Sequence, residues 1–492
     1  MTHIGTSSSI MAPLYANASC DPYTPREAQC VIGTYVQYAV NASSVDDISK
    51  TIKFANEKNI RLVIRNSAHD YLGKSTGAGG LAIWTKNMKN AELVKWNDAE
   101  YKGDAVKLGA GMSGADVGAF TGDHGLVTTT GNCPSVGVVG GWIQGAGHGP
   151  LTSKFGMAAD QALEFEVVDG TGKYLVANRK KNADLFWALS GGGGGTYGVV
   201  VSVTMRAYPD LPVTFATLMF PSAGLTEDRF YEAVAAFQSF VTTLVDAGCV
   251  AIWTYTADVF MLQELIAPGL SKDEVEGLLK PFYAKLEGIN YETKWFSYNN
   301  YRDFQNEALA PQLKNQANVI QGGSWLMPRS VITDPPKGAK FLEASTEILK
   351  SGAFVQFLAF DTSKKVAVDN AVNPVWRDAL IHAVVATPWN PTGTIDEGFK
   401  TLTDVEENLK SKWAALAPDS GEYLNEAVAI NPNWKKDFYG INYDKLLKIK
   451  NKYDSNNMFY ATTAVGSDYW TEQADKRLCK TQTKSKGEKD EL

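Results

Sequence analysis

The first clear pattern of apolar and polar positions lies in residues 31–65, where the periodicity changes twice. Residues 34–42, TYVQYAVNA, are rich in β-branched and aromatic side chains, which favours a strand. In residues 43–59, SSVDDISKTIKFANEKN, apolar positions recur every three or four residues after a serine that can cap a helix. Residues 60–65, IRLVIR, form a short apolar run typical of a buried strand. The segment is therefore predicted to fold as strand, helix, strand.

From about residue 211 the pattern changes, because glycine becomes rarer and strand-like runs alternate with longer amphipathic ones. TFATLMF (214–220) and VAIWTYTA (250–257) have the composition of strands, and SKDEVEGLLKPFYAKLEG (271–288) has helical spacing. This predicts a second lobe that combines a sheet with helices. The residues beyond 475 are too polar to pack and are predicted to be disordered.

Length and composition indicate a globular protein with more than one core. The chain has 492 residues, of which 44% are hydrophobic and 21% charged, so two large lobes are expected. Its 47 basic and 54 acidic side chains give a net charge of -7, which argues against a nucleic-acid partner. No apolar run approaches the roughly 18 residues of a membrane-spanning helix. The five histidines are scattered and the sequence has no CxxC motif, so a metal site is not expected.

The two ends of the chain carry different indications of location. The last four residues, KDEL, match the signal that retains proteins in the lumen of the endoplasmic reticulum, so the KDEL receptor is an expected partner. The first residues show no basic segment followed by an apolar one, so a signal peptide is expected to have been removed. Asn17 and Asn41 are acceptor sites of the Asn-x-Ser type and fit a glycoprotein of the secretory route, although such triplets also occur by chance.

Five cysteines are present, and an odd number leaves at least one thiol unpaired or otherwise used. Cys20 and Cys30 bracket the turn-rich segment DPYTPREAQ. These two are therefore the expected disulfide.

A segment that almost matches a phosphate-binding loop follows the predicted strand at 60–65. RNSAHDYLGKS, residues 65–75, ends with the Gly-Lys-Ser of a P-loop. The first glycine of that motif is replaced by Ala68, and His69 lies inside the loop. The match is incomplete, so the histidine needs another explanation.

A run of five glycines opens the segment SGGGGGTYGVVVSVTM, residues 190–205. Gly193, Gly195 and Gly198 have GxGxxG spacing, which in dinucleotide-binding folds follows a strand and opens a helix. Here a predicted helix, NADLFWALS, precedes the glycines and a predicted strand, VVVSVTMRAY, follows them. The order is inverted, so the dinucleotide fingerprint is rejected. The number of glycines instead favours a backbone lying close to a ligand, with a tight turn as the alternative.

Four longer stretches together carry a resemblance to a known family. They are RNSAHDYLGKS, GNCPSVGVVGGWIQGAGHGPLTSKFGMAADQALEFEVVDGTGK, NADLFWALSGGGGGTYGVV and YGINYDKLLKIKNKYDSNNMFY. The chain resembles the FAD-linked oxidases of the vanillyl-alcohol-oxidase superfamily, which have a PCMH-type FAD-binding domain, and within them the fungal berberine-bridge-enzyme-like branch. The resemblance covers roughly residues 30–210 and 420–470.

The resemblance implies an α+β fold of two lobes. One lobe binds FAD through two α/β subdomains, and the other binds substrate with an antiparallel sheet flanked by helices. The implied boundaries are an FAD-binding domain (1–210), a substrate-binding domain (211–424), a C-terminal segment that returns to the FAD lobe (425–475) and a disordered KDEL tail (476–492).

The resemblance also assigns the loop histidine and one cysteine to the cofactor. In the family this loop wraps the FAD pyrophosphate and its histidine bonds to the flavin 8α-methyl group, which implies that role for His69. The cysteine of the family's Cys-Pro-Ser/Thr-Val-Gly motif bonds to flavin C6, which implies Cys133 through a reactive thiolate. The alternatives are an ordinary loop histidine and a small buried thiol. Other residues implied in FAD binding are Arg65, Asn66, Ser67, Ala68, Asp70, Gly73, Ser75, Val136, Gly137, Gly140, Gly141, Gly147, Gly198, Val199 and Tyr460.

Family positions suggest which side chains face the substrate. Tyr71 lies two residues after the linking histidine, where plant relatives carry an active-site tyrosine, and His148 replaces another of their tyrosines. His382 falls near a strand that faces the substrate. The remaining candidates lie where fungal members line the pocket: Tyr423, Asn425 and Glu426. A base must accept the substrate proton, and which of these residues does so stays open, with a structural role as the alternative for each.

The implied function is an oxidase with bicovalent FAD that passes a hydride from a small molecule to the flavin and then to O2, giving H2O2. In plant relatives the residue three positions after the linking cysteine controls oxygen access, and valine there, as in Val136, accompanies oxidase behaviour. KDEL favours natural-product biosynthesis of an alkaloid-like kind. The alternatives are a carbohydrate or alcohol oxidase, a dehydrogenase of the same fold with another acceptor, and a flavin-binding protein without turnover.

Overall fold

The computed structural model describes most of the chain, namely residues 19–20, 24–310, 320–363, 369–388, 390, 392–474 and 477–481. Asn17 and the KDEL sequence lie outside these residues. Cys20 and Cys30 form the predicted disulfide, with their Cα atoms 4.9 Å apart. Within the described residues, no helix combines the length and the apolar character that crossing a membrane requires.

The N-terminal part folds as strand, helix, strand, as predicted. Tyr38–Asn41 and Leu62–Arg65 pair in parallel with the two edges of Leu81–Trp84. The helix Val45–Lys58 begins with a capping box, because Ser44 Oγ accepts a hydrogen bond from the Asp47 amide and the Asp47 carboxylate accepts one from the Ser44 amide. The first strand is four residues long and therefore shorter than the β-rich run that predicted it. The loop that contains His69 leaves directly from the end of Leu62–Arg65.

A second sheet completes the first lobe. Its five antiparallel strands are, in spatial order, Ala91–Asn97, Lys102–Gly109, Val199–Arg206, Ala162–Val168 and Tyr174–Asn178. The glycine run lies between the helix Ala183–Leu189 and the strand Val199–Arg206. This confirms the helix-then-strand order that excludes a dinucleotide fingerprint. Gly198 is required by close packing, since a Cβ there would lie 2.5 Å from Val167 Cγ2.

The second lobe is built on a seven-stranded antiparallel sheet. In spatial order its strands are Glu292–Tyr298, Val213–Pro221, Val259–Pro268, Val250–Tyr255, Phe354–Ala359, Ala379–Pro388 and Ile320–Pro328. The helices Glu227–Asp246, Lys272–Lys285, Pro335–Lys350 and Ile395–Asp404 belong to the same lobe. Alternation along a strand sends Ala251 and Trp253 into the core that these helices share, whereas Ile252 faces the other way. The antiparallel sheet with helices confirms the predicted α+β fold.

The C-terminal segment packs back against the first lobe. Leu446 and Ile449 of the helix Tyr443–Tyr453 share a buried cluster with Leu185 and Phe186. Lys450 Nζ in the same helix donates hydrogen bonds to the carbonyl oxygens of Thr196 and Phe459, at 3.0 and 2.7 Å. The helix therefore supports the glycine-rich turn from behind.

The prediction of disorder beyond residue 475 is wrong for residues 477–481. Leu478–Lys480 forms an antiparallel pair with Trp470–Glu472. Backbone pairing supplies the contacts that the polar side chains do not, and the Trp470 indole anchors the hairpin by donating to the Asn457 carbonyl at 3.1 Å. Polarity alone was therefore a poor guide here.

Shorter elements complete the fold. They are the paired strands Leu126–Val127 and Tyr208–Pro209, the helices Gly114–Gly122, Thr152–Phe155, Ala158–Gln161, Tyr301–Phe304, Arg329–Ile332, Ser411–Leu416 and Trp434–Tyr439, the π-helical turns Val138–Trp142, Gln305–Leu309 and Val405–Lys410, and the 3-10 turns Pro374–Arg377, Gly440–Asn442 and Ser467–Tyr469.

Candidate active site

A cavity of about 800 Å³ lies where the two lobes and the C-terminal segment meet. Most of the residues predicted for the cofactor and the substrate line it: Asn66, Ser67, Ala68, His69, Asp70, Tyr71, Ser75, Cys133, Val136, Gly137, Gly140, Gly141, His148, Gly198, Tyr423, Asn425, Glu426 and Tyr460. Segments that are far apart in sequence thus converge on one space.

The remaining predicted residues support the wall from behind. Arg65 donates a hydrogen bond from Nη1 to the Ser75 carbonyl at 3.1 Å and so closes the base of the histidine loop. Gly73 and Gly147 have φ values of 75° and 73°, which favour glycine. Val199 lies in a buried cluster at the start of its strand, and His382 is buried behind the cavity surface.

The loop that carries His69 is fixed by its own polar side chains. Asn66 Nδ2 donates hydrogen bonds to Thr85 Oγ1 and to the Ala110 carbonyl. The Asp70 carboxylate accepts hydrogen bonds from the amides of Leu72 and Ser75, at 3.0 and 2.6 Å. Ala68 between them has a left-handed φ of 56°. Glycine adopts that conformation without a steric penalty, whereas alanine does not.

His69 and Cys133 lie next to each other on one edge of the cavity. His69 Nε2 is 2.7 Å from Ser135 Oγ and 4.0 Å from Cys133 Sγ. Burial, assisted by the positive charge of Lys86, lowers the pKa of His69 to about 4. The imidazole is therefore neutral near pH 7 and has a lone pair available for bond formation.

The glycine-rich wall fits a flat group such as the flavin ring. A Cβ on Gly141 or Gly195 would meet no protein atom closer than 3.9 Å. Because both residues line the cavity, side chains at these positions would enter the space that a ring would occupy. Gly194 is instead packed against this wall, since a Cβ there would lie 2.7 Å from the Gly141 Cα.

Two histidines and one glutamate form a polar cluster in the cavity wall. His148 Nε2 lies 3.4 Å from Glu426 Oε1, and His382 Nδ1 lies 3.8 Å from Glu426 Oε2. Burial alone would raise the pKa of Glu426, but the charge and hydrogen bond of His148, followed by the charge of His382, bring it below its ordinary value. Burial lowers the pKa of His382 to about 4. Two histidines that are far apart in sequence thus lie next to one carboxylate. Their separation in the sequence was therefore not a sound reason for expecting no metal site.

Two tyrosines flank this cluster and remain protonated. Burial, with the negative charge of Glu426 as a second cause, raises the pKa of both Tyr71 and Tyr423. Tyr71 still exposes 43% of its surface, and it lines the cavity. Asn425 Nδ2 donates to the Tyr423 hydroxyl at 2.9 Å and to the Gly141 carbonyl at 3.1 Å. Both phenols are placed to donate hydrogen bonds rather than to accept a proton.

Polar groups that the sequence did not single out also line the cavity. Glu264 lies on the strand Val259–Pro268 and accepts a hydrogen bond from Asn132 Nδ2 at 2.8 Å. Burial, only partly offset by this hydrogen bond, raises the pKa of Glu264 to about 7. Burial also lowers the pKa of Lys74 to about 8, against the attraction of Asp70. Lys74 had a signal, the incomplete P-loop ending, whereas Glu264 had none because only strand pairing brings it to the cavity.

Comparison with known proteins relates this chain to a family. Residues 36–178 match the family described as FAD binding domain, and residues 422–466 match the family described as Berberine and berberine like. The chain is 42% identical over 482 residues to the FAD-linked oxidoreductase sor8 of Hypocrea jecorina (strain QM6a). The alignment covers 97% of this chain and 83% of that protein. It is 36% identical over 493 residues to the bifunctional decalin synthase calF of Penicillium decumbens, covering 97% and 85%.

The same relationship is found in three dimensions. The crystal structure of the VAO-type flavoprotein MtVAO615 at pH 5.0, from Myceliophthora thermophila C1, matches this chain with a TM-score of 0.92 at 36% identity. The match covers 96% of this chain and 87% of that one. The fold of this chain is therefore shared with that flavoprotein.

Proposed function

Because this chain belongs to the berberine-bridge-enzyme-like FAD-linked oxidoreductases of the vanillyl-alcohol-oxidase superfamily, we propose that it is an oxidase that removes a hydride from a small organic substrate. FAD, once bound, supplies the two-electron oxidation chemistry, with O2 as the final acceptor and H2O2 as the second product. The observation that carries the proposal is a single cavity that holds His69 beside Cys133 together with Glu426 beside His148.

The cofactor is proposed to be held by two covalent bonds, one from His69 and one from Cys133. Cys133 Sγ lies 4.0 Å from His69 Nε2, so both side chains can reach one six-membered ring. Ser135 Oγ lies 2.7 Å from His69 Nε2 and 3.4 Å from Cys133 Sγ, which holds both side chains at the same edge of the cavity. The neutral state of His69 and the flat glycine wall support the same assignment.

Glu426 is proposed to accept the substrate proton, with His148 as its partner. Glu426 lines the cavity and contacts His148 through Oε1, so a proton taken by the carboxylate can be shared with the imidazole. The lowered pKa of Glu426 keeps it ionised near pH 7. Tyr71 and Tyr423, whose pKa values are raised, are assigned to hydrogen bonds that orient a substrate oxygen or nitrogen.

The wall formed by the substrate sheet favours a largely apolar substrate. Ile252, Phe354, Leu358, Val384 and Ala386 line this part of the cavity. Glu264 and Gln356 are the polar side chains among the described residues of that wall. A carbohydrate needs many hydrogen-bonding partners, because each buried hydroxyl without one costs free energy. A compact natural product with few polar groups fits better, and one relative is named as a decalin synthase.

The test is a substrate screen on the purified FAD-loaded protein. Natural-product precursors, simple alcohols and oligosaccharides are mixed with the protein without oxygen, and loss of the oxidised flavin absorbance is recorded. Air is then admitted, and reoxidation and H2O2 are followed. Reduction by an apolar precursor with rapid reoxidation is expected, since Val136 lines the cavity and its small side chain is proposed to leave oxygen a path to the flavin. Reduction by sugars alone would contradict the substrate class, and reoxidation slower than turnover with an artificial acceptor would indicate a dehydrogenase.

The proposed location is the lumen of the endoplasmic reticulum. The Cys20–Cys30 disulfide fits an oxidising compartment, and the C-terminal KDEL fits retention there. Expression of the chain behind a signal peptide, with and without the last four residues, tests this. Loss of KDEL should move the protein into the medium, and secretion of both forms to the same extent would contradict the proposal.

A further inference from the structure

Two histidines and one glutamate, referred to below as the His–Glu triad, bring nitrogen and oxygen ligands together from three parts of the chain. His148 lies in the loop after the π-helical turn Val138–Trp142, His382 lies on the strand Ala379–Pro388, and Glu426 lies on the loop before the helix Trp434–Tyr439. One ligand atom can be taken from each residue so that all three atoms lie within 4.8 Å of one another. Only the folded chain creates this cluster.

The ligand types and their spacing match a divalent transition-metal site. Imidazole nitrogen and carboxylate oxygen bind Zn²⁺ at about 2.0–2.2 Å, so neighbouring ligands of a tetrahedral centre lie about 3.4 Å apart. His148 Nε2 lies 3.4 Å from Glu426 Oε1, and His382 Nδ1 lies 3.8 Å from Oε2 of the same carboxylate. With one ligand atom taken from each residue, all three atoms lie within 4.8 Å of one another. Two histidines, one carboxylate and an open position form the ligand set of catalytic zinc sites.

The surroundings of His382 provide a second, independent observation. Its side chain has no exposed surface, and within the described part of the chain neither ring nitrogen has a hydrogen-bond partner. A buried polar atom without a partner destabilises the fold, because it has lost its hydrogen bonds to water and gained none in return. Nδ1 points toward Glu426 across 3.8 Å, a distance too long for a hydrogen bond but suited to an ion between them. A cation at this position would satisfy the orphaned nitrogen.

We propose that the His–Glu triad binds one divalent transition-metal ion, for which Zn²⁺ is the probe, and leaves one coordination position open to the cavity. His148 and Glu426 line the cavity, so an oxygen atom of a ligand there can complete the coordination. Bound metal occupies the carboxylate assigned to proton transfer, so Zn²⁺ should inhibit substrate oxidation. This consequence rests on the proposed function, whereas metal binding does not.

Equilibrium dialysis of the FAD-loaded, tag-free protein against Zn²⁺, with metal analysis by mass spectrometry, tests the binding. One equivalent is expected in excess of any weak surface binding. Glu426→Gln and His382→Gln should each weaken its affinity more than about tenfold. His124→Gln is the matched control, because His124 is exposed and engages the Phe120 carbonyl, outside the cavity. The affinity of His124→Gln for Zn²⁺ should equal that of the unmodified protein.

Anomalous diffraction at the zinc edge on crystals of the unmodified protein gives a readout that does not depend on how the variants fold. A peak between His148, His382 and Glu426 supports the proposal. A peak elsewhere, no peak, or unchanged affinity in both triad variants overturns it. If zinc binds as expected while no substrate reduces the flavin, the metal site stands and the proposed oxidase function fails, so the two failures are distinguishable.

Discussion

Ala68 concentrates backbone strain at the residue that precedes His69. Its φ of 56° lies in the left-handed region, where an alanine loses about 1–2 kcal/mol relative to a right-handed conformation. The loop tolerates this because Asn66 and Asp70, on either side, hold it with hydrogen bonds. The strain is thus located where it turns the His69 ring toward Ser135 and Cys133.

The two proposed covalent bonds predict a non-additive release of flavin. His69→Ala should leave FAD bound through Cys133, and Cys133→Ala should leave it bound through His69. Only the double variant should release nearly all of its flavin after acid precipitation, measured by absorbance of the supernatant. Each single change should also slow substrate oxidation, because the remaining bond holds the ring less firmly and withdraws less electron density.

Cys249→Ala is the control for these variants, because Cys249 is a buried thiol outside the cavity. It should retain all flavin in the precipitate. Complete release from Cys133→Ala alone would make His69 a loop residue with no bond to the cofactor. Complete release from His69→Ala alone would leave Cys133 as an unreactive thiol in the wall.

Glu264 predicts a pH dependence of stability. Burial raises its folded-state pKa to about 7 from the ordinary 4.5, so the folded protein holds this proton where the unfolded chain has lost it. The stabilisation is therefore complete below pH 4.5 and is lost as the pH rises through about 7. The loss is about 3 kcal/mol by linkage. Melting temperatures of the protein and of Glu264→Gln, compared at pH 5 and pH 8, measure it.

The melting temperature of Glu264→Gln, measured relative to that of the unmodified protein, should be higher at pH 8 than at pH 5. Glutamine can keep the hydrogen bond from Asn132 without carrying a charge. Glu347→Gln is the control, since Glu347 lies on the surface beside Lys412, and it should keep the original pH profile. Parallel profiles for Glu264→Gln and the unmodified protein would show that Glu264 is not perturbed.

At the scale of elements, periodicity predicted the helices but not the walls of the cavity. The helix expected at 43–59 is Val45–Lys58, and that expected at 271–288 is Lys272–Lys285. Local spacing and a capping serine contain this information. Glu264 and Gln356 face the cavity because of pairing between strands that are distant in sequence, which no local pattern specifies. His69 and Cys133 could be predicted as cofactor-binding residues only because the long motifs around them resemble those of a known family.

The loop that carries the candidate base is anchored by one buried carboxylate. Glu422 Oε1 accepts hydrogen bonds from the amides of Val428 and Ser324, at 2.8 and 3.2 Å. Its Oε2 accepts from Lys410 Nζ at 2.8 Å and from Asn431 Nδ2 at 3.0 Å. All the groups named here are donors, so an anion is required at this position. These hydrogen bonds fix Glu422, which directly precedes Tyr423, and so position the loop that holds Tyr423 and Glu426.

Glu422→Gln should therefore destabilise the loop although it preserves shape. The glutamine amide would place its own N–H groups against other donors, and Lys410 would lose the more deeply buried of its two carboxylate partners. The expected cost is about 3 kcal/mol, seen as a lower melting temperature and faster hydrogen exchange over 422–428. Glu347→Gln, which breaks an exposed pair with Lys412, should cost less than about 1 kcal/mol. Equal effects would show that the anchor is not required.

At the scale of the whole molecule, one buried aspartate joins the lobes. Asp160 lies in the first lobe, in the short helix Ala158–Gln161, and exposes 1% of its side chain. Arg377 of the second lobe binds it through both terminal nitrogens, at 2.8 and 2.7 Å. Asn370 Nδ2 and the Met157 amide complete the set of donors. The cavity lies between the parts that this cluster connects, so its shape depends on the cluster.

Asp160→Asn is expected to weaken the joint without entering the cavity. The new amide would direct N–H groups at donors and leave the Arg377 charge without its anion in a largely buried site, at a cost of about 3 kcal/mol. The melting temperature should fall, and hydrogen exchange should increase in Ala158–Gln161 and around Arg377. Substrate affinity should fall more than the rate of flavin reduction in the enzyme–substrate complex, because the residues assigned to the chemical step are unchanged.

Asp246→Asn separates this effect from the loss of any arginine–aspartate pair. Asp246 binds Arg329 through both carboxylate oxygens, at 2.6 and 3.2 Å, but on the surface and within one lobe. Its loss should cost less than about 1 kcal/mol and leave substrate affinity unchanged. A joint between lobes predicts that only Asp160→Asn changes both stability and affinity. If the two variants behave alike, the lobes are held by their apolar contacts, and the buried pair adds only local order.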